Sequence, residues 1–213
     1  MSAAARPRVA VCDYGVGNLR SVERALQRGG AEVMVTGDPV AVAAADGVVL
    51  PGVGAFSTAA AALRTTGLDA AVYAVVAAGR PLLGVCLGFQ VLFNDSDEGD
   101  ADTGLGLVPG HVRRLPAGPE RVPHVGWNTL TLVGDEPIFR GISNGAHVYF
   151  THSYAAVADD TDDVSATTEH GVSIVAAVRR GNVMGTQFHP EKSGPAGLRL
   201  YANFVDTCAV ARS

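Results

Sequence analysis

Charge is scarce in this chain, and so are aromatic rings, methionine, tryptophan and cysteine. Only 17% of the 213 residues are Asp, Glu, Lys or Arg, and the net charge is −5. No run of Lys and Arg is dense enough to track a phosphate backbone or an anionic membrane, which sets aside nucleic-acid and lipid-surface roles. Three cysteines, Cys12, Cys86 and Cys208, lie far apart and are odd in number. They form neither a disulfide framework nor a zinc ribbon. Cys12 at the end of an apolar run and Cys208 in the last helical pattern are expected to be buried, inert thiols. The opening run Met1-Ser2-Ala3-Ala4-Ala5-Arg6-Pro7 lacks the long apolar stretch of a secretory signal. No stretch reaches transmembrane length without charge or glycine. A cytoplasmic, reducing setting is the expectation.

What the chain has in quantity is apolar side chains, 47%, and 26 glycines. The apolar residues fall in short runs that alternate with helical patterns. Strands are expected at Arg8–Cys12, Ala31–Thr36, Gly47–Leu50 and Leu82–Val85. Helices are expected at Asn18–Arg28 with Asn18 as N-cap, at Ala59–Leu63, Leu68–Ala78 and Leu87–Phe93. Such alternation predicts a parallel, doubly wound sheet. Asn94–Thr103 is acidic and reads as a surface loop. From Leu107 to about Val178 short β-like runs predict antiparallel strands added to one edge, with Thr161-Asp162-Asp163 as a solvated turn. A strand at Val183–Phe188 and a helix at Gly197–Ala211 close the chain.

One cysteine differs from the other two. In Gly84-Val85-Cys86-Leu87-Gly88 an apolar strand runs straight into a cysteine between two glycines, with a helix beyond. This is a nucleophile elbow, G-x-C-x-G, in which a sharp strand-to-helix turn exposes the sulfur. A thiolate needs a base and an orienter, and His189-Pro190-Glu191 supplies them at the end of the strand pattern that starts near Gly181. Residues i and i+2 of an extended segment point to one side, so Glu191 is placed to hold the His189 imidazole. A parallel sheet brings both pieces to one rim. Pro51-Gly52-Val53-Gly54 follows a third strand and is suited to present N–H groups to an oxyanion. Each piece alone reads as a core cysteine, an ordinary loop or a tight βα turn; their joint occurrence points to catalysis.

These residues carry a resemblance. C-L-G-x-Q at Cys86–Gln90 with H-P-E at His189–Glu191 resembles the class I, triad-type glutamine amidotransferases. The runs Asp13–Leu19, Pro51–Phe56, Pro123–Asn128, Tyr149–Tyr154 and His189–Ser193 resemble, within that class, the glutaminase subunits of imidazole glycerol phosphate synthases. The likeness covers about residues 8 to 205. It implies a three-layer α/β sandwich of the flavodoxin-like type with antiparallel edge strands, formed as one domain over 8–211 after a flexible start at 1–7. It implies hydrolysis of glutamine by Cys86, His189 and Glu191, with no cofactor and no metal. Gly52, Val53 and Leu87 are the implied oxyanion-hole residues. Gln90, Glu98 and Ser153 are the implied glutamine contacts. Asn18, Trp127 and Lys192 are implied to lie near a (β/α)₈-barrel cyclase partner that receives the ammonia. Phe89 and Asn94 depart from the pattern without touching the triad. His111, His124 and His152 read as hydrogen-bonded structural residues. A glutaminase serving another synthase, and a non-catalytic scaffold of the same fold, are the alternatives.

Overall fold

The computed structural model describes residues 5–99, 103–118 and 120–211. Residues 1–4 of the expected flexible start, and 100–102 of the expected acidic loop, lie outside the described residues. In chain order the first half comprises β1 (Arg8–Cys12), α1 (Leu19–Arg28), β2 (Glu32–Thr36), α2 (Pro39–Ala43), β3 (Gly47–Leu50), α3 (Phe56–Thr66), α4 (Leu68–Ala77), β4 (Leu82–Val85) and α5 (Leu87–Gln90). The strand-rich part comprises β5 (Asp95–Ser96), β6 (Gly110–Arg114), β7 (His124–Thr129), β8 (Thr131–Leu132), β9 (His147–His152), β10 (Tyr154–Ala158), β11 (Val164–Glu169), β12 (Ser173–Arg180) and β13 (Val183–Thr186), and α6 (Gly194–Ala211) closes the chain.

Eight strands form one sheet in the order β2-β1-β3-β4-β13-β12-β11-β8. The first five pair in parallel, as in flavodoxin-like sheets, and the last three join antiparallel at one edge. Two small sheets, β10-β6-β5 and β7-β9, stand beside it. Strand periodicity makes the layers. Val9 and Val11 point to the α1 and α6 face, where they meet Leu26, Leu200 and Phe204. Ala10 and Cys12 point the other way, onto the layer built from α2 to α4. The result is a three-layer α/β sandwich with apolar contacts on both sheet faces. Among the described residues no single helix is long and apolar enough to cross a membrane.

Several local expectations are corrected. The helix α2 went unforeseen, although Asp38 and Pro39 are strong start signals: Asp38 Oδ1 accepts from the Val40 amide at 3.0 Å. Asn18 occupies the N-cap position of α1, but its side chain makes no capping bond. The helix α3 begins at Phe56, three residues before Ala59. Its cap is remote in sequence, since Glu98 Oε2 accepts from the Phe56 amide at 2.9 Å. The helix after the elbow stops at Gln90 rather than Phe93. Asp95 and Ser96 of the expected surface loop pair in parallel with β6, and Ser96 is buried. Asp163, assigned to a solvated turn, is also buried and pairs with Arg180 at 2.9 Å.

Candidate active site

The elbow is shaped by close backbone approach. Cys86 has φ 54° and ψ −106°, and is the one non-glycine residue with positive φ among the described residues. A Cβ at Gly84 would lie 2.5 Å from the Gly88 carbonyl oxygen, and one at Gly88 would lie 1.8 Å from that of Leu50. Only glycine lets the turn fold back on itself and press onto β3. The Cys86 amide donates to the Thr186 carbonyl at 2.8 Å, which ties the elbow to β13 and to His189 beyond it.

His189 and Glu191 do meet, but not through an extended segment. Residues 190–192 form a 3₁₀ turn with Pro190 at its start, and the turn brings Glu191 Oε1 to 2.8 Å from His189 Nδ1. Both side chains are 2% exposed. The loop is fastened on three sides. The His189 amide donates to Tyr149 O at 2.9 Å, Ser193 Oγ donates to His189 O at 2.6 Å, and the Tyr149 amide donates to Ser193 Oγ at 3.0 Å. The other ring nitrogen, Nε2, is buried without a hydrogen-bond partner. Burial acts to lower the His189 pKa; the Cys86 sulfur and the Glu191 carboxylate outweigh it and push it up to about 9.

A cleft of about 410 Å³ opens over these groups. Cys86, Leu87, Gln90 and His189 line one side, Val53 and Gly54 another, and Glu98, Pro123 and Thr151–Tyr154 the rest. Of the expected oxyanion residues, Val53 and Leu87 face the cleft. Gly52 is buried behind them, with a Cβ position 2.8 Å from Leu87 Cβ. Gln90, Glu98 and Ser153 all line it. Gln90 spends both amide hydrogens on protein, one on Tyr154 O at 2.9 Å and one on Gln187 Oε1 at 3.0 Å. Glu98 gives one oxygen to the α3 cap.

Sequence reasoning missed Gln187 and the depth of His152. Gln187 is fully buried, and its Nε2 stands 3.9 Å from Cys86 Sγ. Its place directly before Phe188-His189 was the available signal. His152 is hydrogen-bonded, as expected, yet it also lines the cleft. Its Nδ1 donates to Tyr154 O at 2.8 Å, which leaves Nε2 to accept from His124 Nδ1 at 3.0 Å. His124 in turn stacks between Phe150 and His170. Burial lowers the pKa of both His124 and His152 to about 4.

The residues expected near a partner divide. Trp127 is 57% exposed on β7 and meets the Tyr149 ring edge-on at 6.1 Å. Lys192 Nζ lies over the same ring at 5.6 Å, so the three form one continuous surface. Asn18 is exposed just ahead of α1, which itself packs against the 190–192 turn.

A strand-to-helix cysteine elbow and a buried imidazole–carboxylate pair meet on a flavodoxin-like sheet. The chain belongs to the class-I glutamine amidotransferase family, whose profile matches residues 10–208. It is 50% identical over 196 residues to the imidazole glycerol phosphate synthase subunit HisH of Moorella thermoacetica, covering 92% of this chain and 93% of that one. It is 46% identical to the subunit of the same name from Methanosarcina acetivorans, covering 94% and 99%. Among solved structures, PurLQS from Thermotoga maritima superposes with a TM-score of 0.73 at 22% identity, covering 95% of this chain and 99% of that one. A structure described as a glutamine amidotransferase gives 0.72 at 24%, covering 94% and 98%. Both likenesses speak to the fold.

Proposed function

We propose that this chain is the glutaminase subunit of an imidazole glycerol phosphate synthase. It releases ammonia from L-glutamine and passes it to a cyclase subunit in histidine biosynthesis. The observation that carries the chemistry is the unpartnered Nε2 of His189, buried beside the Cys86 sulfur while Nδ1 is held by Glu191. The relatives at 46–50% identity support the choice of pathway.

In this reading the Cys86 thiolate attacks the side-chain carbonyl carbon of glutamine. The developing oxyanion is met by the Leu87 amide and by N–H groups of the Gly52-Val53-Gly54 loop. His189, protonated, gives its proton to the departing nitrogen, and ammonia leaves a γ-glutamyl thioester on Cys86. Neutral His189 then takes a proton from water as that water attacks the thioester. Sulfur leaves as thiolate, glutamate is released, and the imidazolium is restored. Glu191 keeps the imidazole in place through both steps and does not itself exchange the proton. Gln90, Glu98 and Ser153 contact the substrate glutamine around the cleft. Residues 8–211 work as one domain.

Ammonia freed into water at neutral pH is mostly protonated and lost, which gives a direct hand-over its purpose. The recipient is a (β/α)₈-barrel cyclase that converts the phosphoribulosyl-formimino-carboxamide ribotide (PRFAR) into imidazole glycerol phosphate and the aminoimidazole carboxamide ribotide (AICAR). It docks on the face that carries Trp127 and Lys192, with Asn18 at its margin.

The test is glutamate release by the chain alone, with the cyclase, and with the cyclase plus its substrate. A low rate alone and a stepwise rise are expected, because the Gly54 backbone at φ 111° lets the oxyanion loop rest in more than one state. Equal rates in all three arms would overturn the coupling. Absence of imidazole glycerol phosphate from the full mixture would overturn the pathway.

A further inference from the structure

Two buried oxygens without partners face one another behind the triad. Glu191 gives Oε1 to His189, but its Oε2 is buried and has no hydrogen-bond partner. The hydroxyl of Tyr201 is in the same condition, on a side chain that is 0% exposed. Buried polar atoms are expensive to leave unpaired, so two together call for an account.

The packing of α6 explains how they come together. At Gly197 a Cβ would fall 1.8 Å from the Pro190 carbonyl oxygen, so the helix backbone lies directly on the catalytic turn. Tyr201 is one helical turn further along the same face, at i+4. Its ring belongs to the apolar cluster that also holds Cys86 and Phe188. Burial first, and then the Glu191 carboxylate, drive the Tyr201 hydroxyl well above the ordinary tyrosine range. The phenol is therefore a proton donor throughout the working pH range and never a competing anion. In the structure the two oxygens stop short of hydrogen-bonding geometry. A hydrogen bond from the phenol to Glu191 Oε2 would satisfy both at once.

We propose that Tyr201 is a positioning residue of this site: its O–H donates to Glu191 Oε2, holding the carboxylate at both oxygens. With the imidazole on one oxygen and the phenol on the other, the carboxylate plane cannot rotate, and the His189 ring stays aimed at Cys86. The inference rests on the glutaminase reading given above.

The experiment compares wild type and Tyr201→Phe in the assembled complex with the cyclase, with gel filtration reporting that the complex forms. Glutamine-dependent kcat is expected to fall about three- to thirtyfold with KM within about twofold, as for a group that acts in the transition state. In a Glu191→Gln background the same substitution should cause no further loss, because Tyr201 acts through Glu191. An unchanged kcat, or an equal loss in both backgrounds, overturns the proposal. A second measurement needs no phenylalanine variant. In the wild-type chain the sequestered hydroxyl proton should give a slowly exchanging NMR signal that shifts in Glu191→Gln; a signal that does not shift overturns the contact. A wild-type complex that releases no glutamate would sink the glutaminase reading instead, and the NMR measurement would still decide the contact.

Discussion

Gly88 lies under the carbonyl of Leu50 so closely that no side chain fits between them; a Cβ there would be 1.8 Å from the Leu50 oxygen. The Cys86 turn and the strand leading to the Gly52-Val53-Gly54 loop are thus in backbone contact. Gly88→Ala must push them apart. Overpacking of this kind costs about 1–3 kcal/mol, and activity should fall sharply with it. Gly118→Ala is the control, since its Cβ meets nothing within 4 Å and its φ is not positive; it should change stability by less than about 0.5 kcal/mol. Thermal midpoints and glutaminase rates of the two variants check this. A stable, active Gly88→Ala protein would contradict the geometry.

Cys86→Ala should reduce glutamine-dependent turnover to below about one per cent, since losing a covalent nucleophile costs orders of magnitude. Ammonia-dependent synthesis by the complex should persist. The backbone adds a second expectation. A φ of 54° with ψ −106° stores about 1–3 kcal/mol in any residue with a side chain. Cys86→Gly should therefore be more stable than Cys86→Ala by about 1 kcal/mol, after glycine's own entropy cost. Denaturation midpoints decide; an alanine variant as stable as the glycine variant would show the turn to be unstrained.

Glu191→Gln removes the charge that holds His189 Nδ1 and should lower kcat on the order of 10²-fold with little change in KM. The loss should be smaller than for Cys86→Ala or His189→Ala. Steady-state kinetics in the complex provide the measurement, and an unchanged kcat would reduce Glu191 to a packing role.

Stability should peak near pH 6.5. His189 is raised from 6.5 to about 9 in the folded chain, so it binds its proton more tightly than in the unfolded chain. Its contribution is full below 6.5 and is lost as pH rises through about 9. His124 and His152 are lowered to about 4. Their contribution is full above 6.5 and is lost as pH falls toward about 4, where the unfolded chain takes up protons that the folded one refuses. The His189 flank amounts to a few kcal/mol on the order-of-magnitude scale of about 1.4 kcal/mol per unit. Denaturant midpoints at about pH 5, 6.5 and 9 test it, and a curve still rising between about 6.5 and 9 would refute the His189 part. In Cys86→Ala the alkaline flank should flatten, because the sulfur is one of the two groups that raise His189.

Trp127→Ala should weaken the complex with the cyclase by about 2 kcal/mol, near thirtyfold in Kd, as for an exposed aromatic at the centre of a contact. Isothermal titration reads it directly. Full affinity in the variant would move the docking face away from β7.

The parallel half of the fold was legible because its signals are local. Gly47–Leu50 and Leu82–Val85 are buried strands bounded by turn residues, and both stand where expected. The meeting of Cys86, His189 and Glu191 at one rim was legible for the same reason, each sitting at the end of such a strand or just beyond. The start of α3 was not, because Glu98 caps it from 42 residues away. Tyr201 was not, because a tyrosine on an apolar helix face reads as core until the close seat at Gly197 sets the depth of the helix. Gln187 and His152 likewise meet partners distant in sequence, Cys86 and His124. The 3₁₀ turn between His189 and Glu191 shows the converse: the pairing was readable, its geometry was not.

Strand β9 holds one further consequence. Its Tyr149 presents a ring to Trp127 and Lys192 on the outside, while the same residue's carbonyl grips the amide of His189 and its amide rests on Ser193. Three residues on, His152 and then Ser153 form part of the cleft wall. Outer surface and His189 are therefore rungs of one ladder. Anything that leans on Trp127 hard enough to tilt Tyr149 tugs the histidine's own peptide.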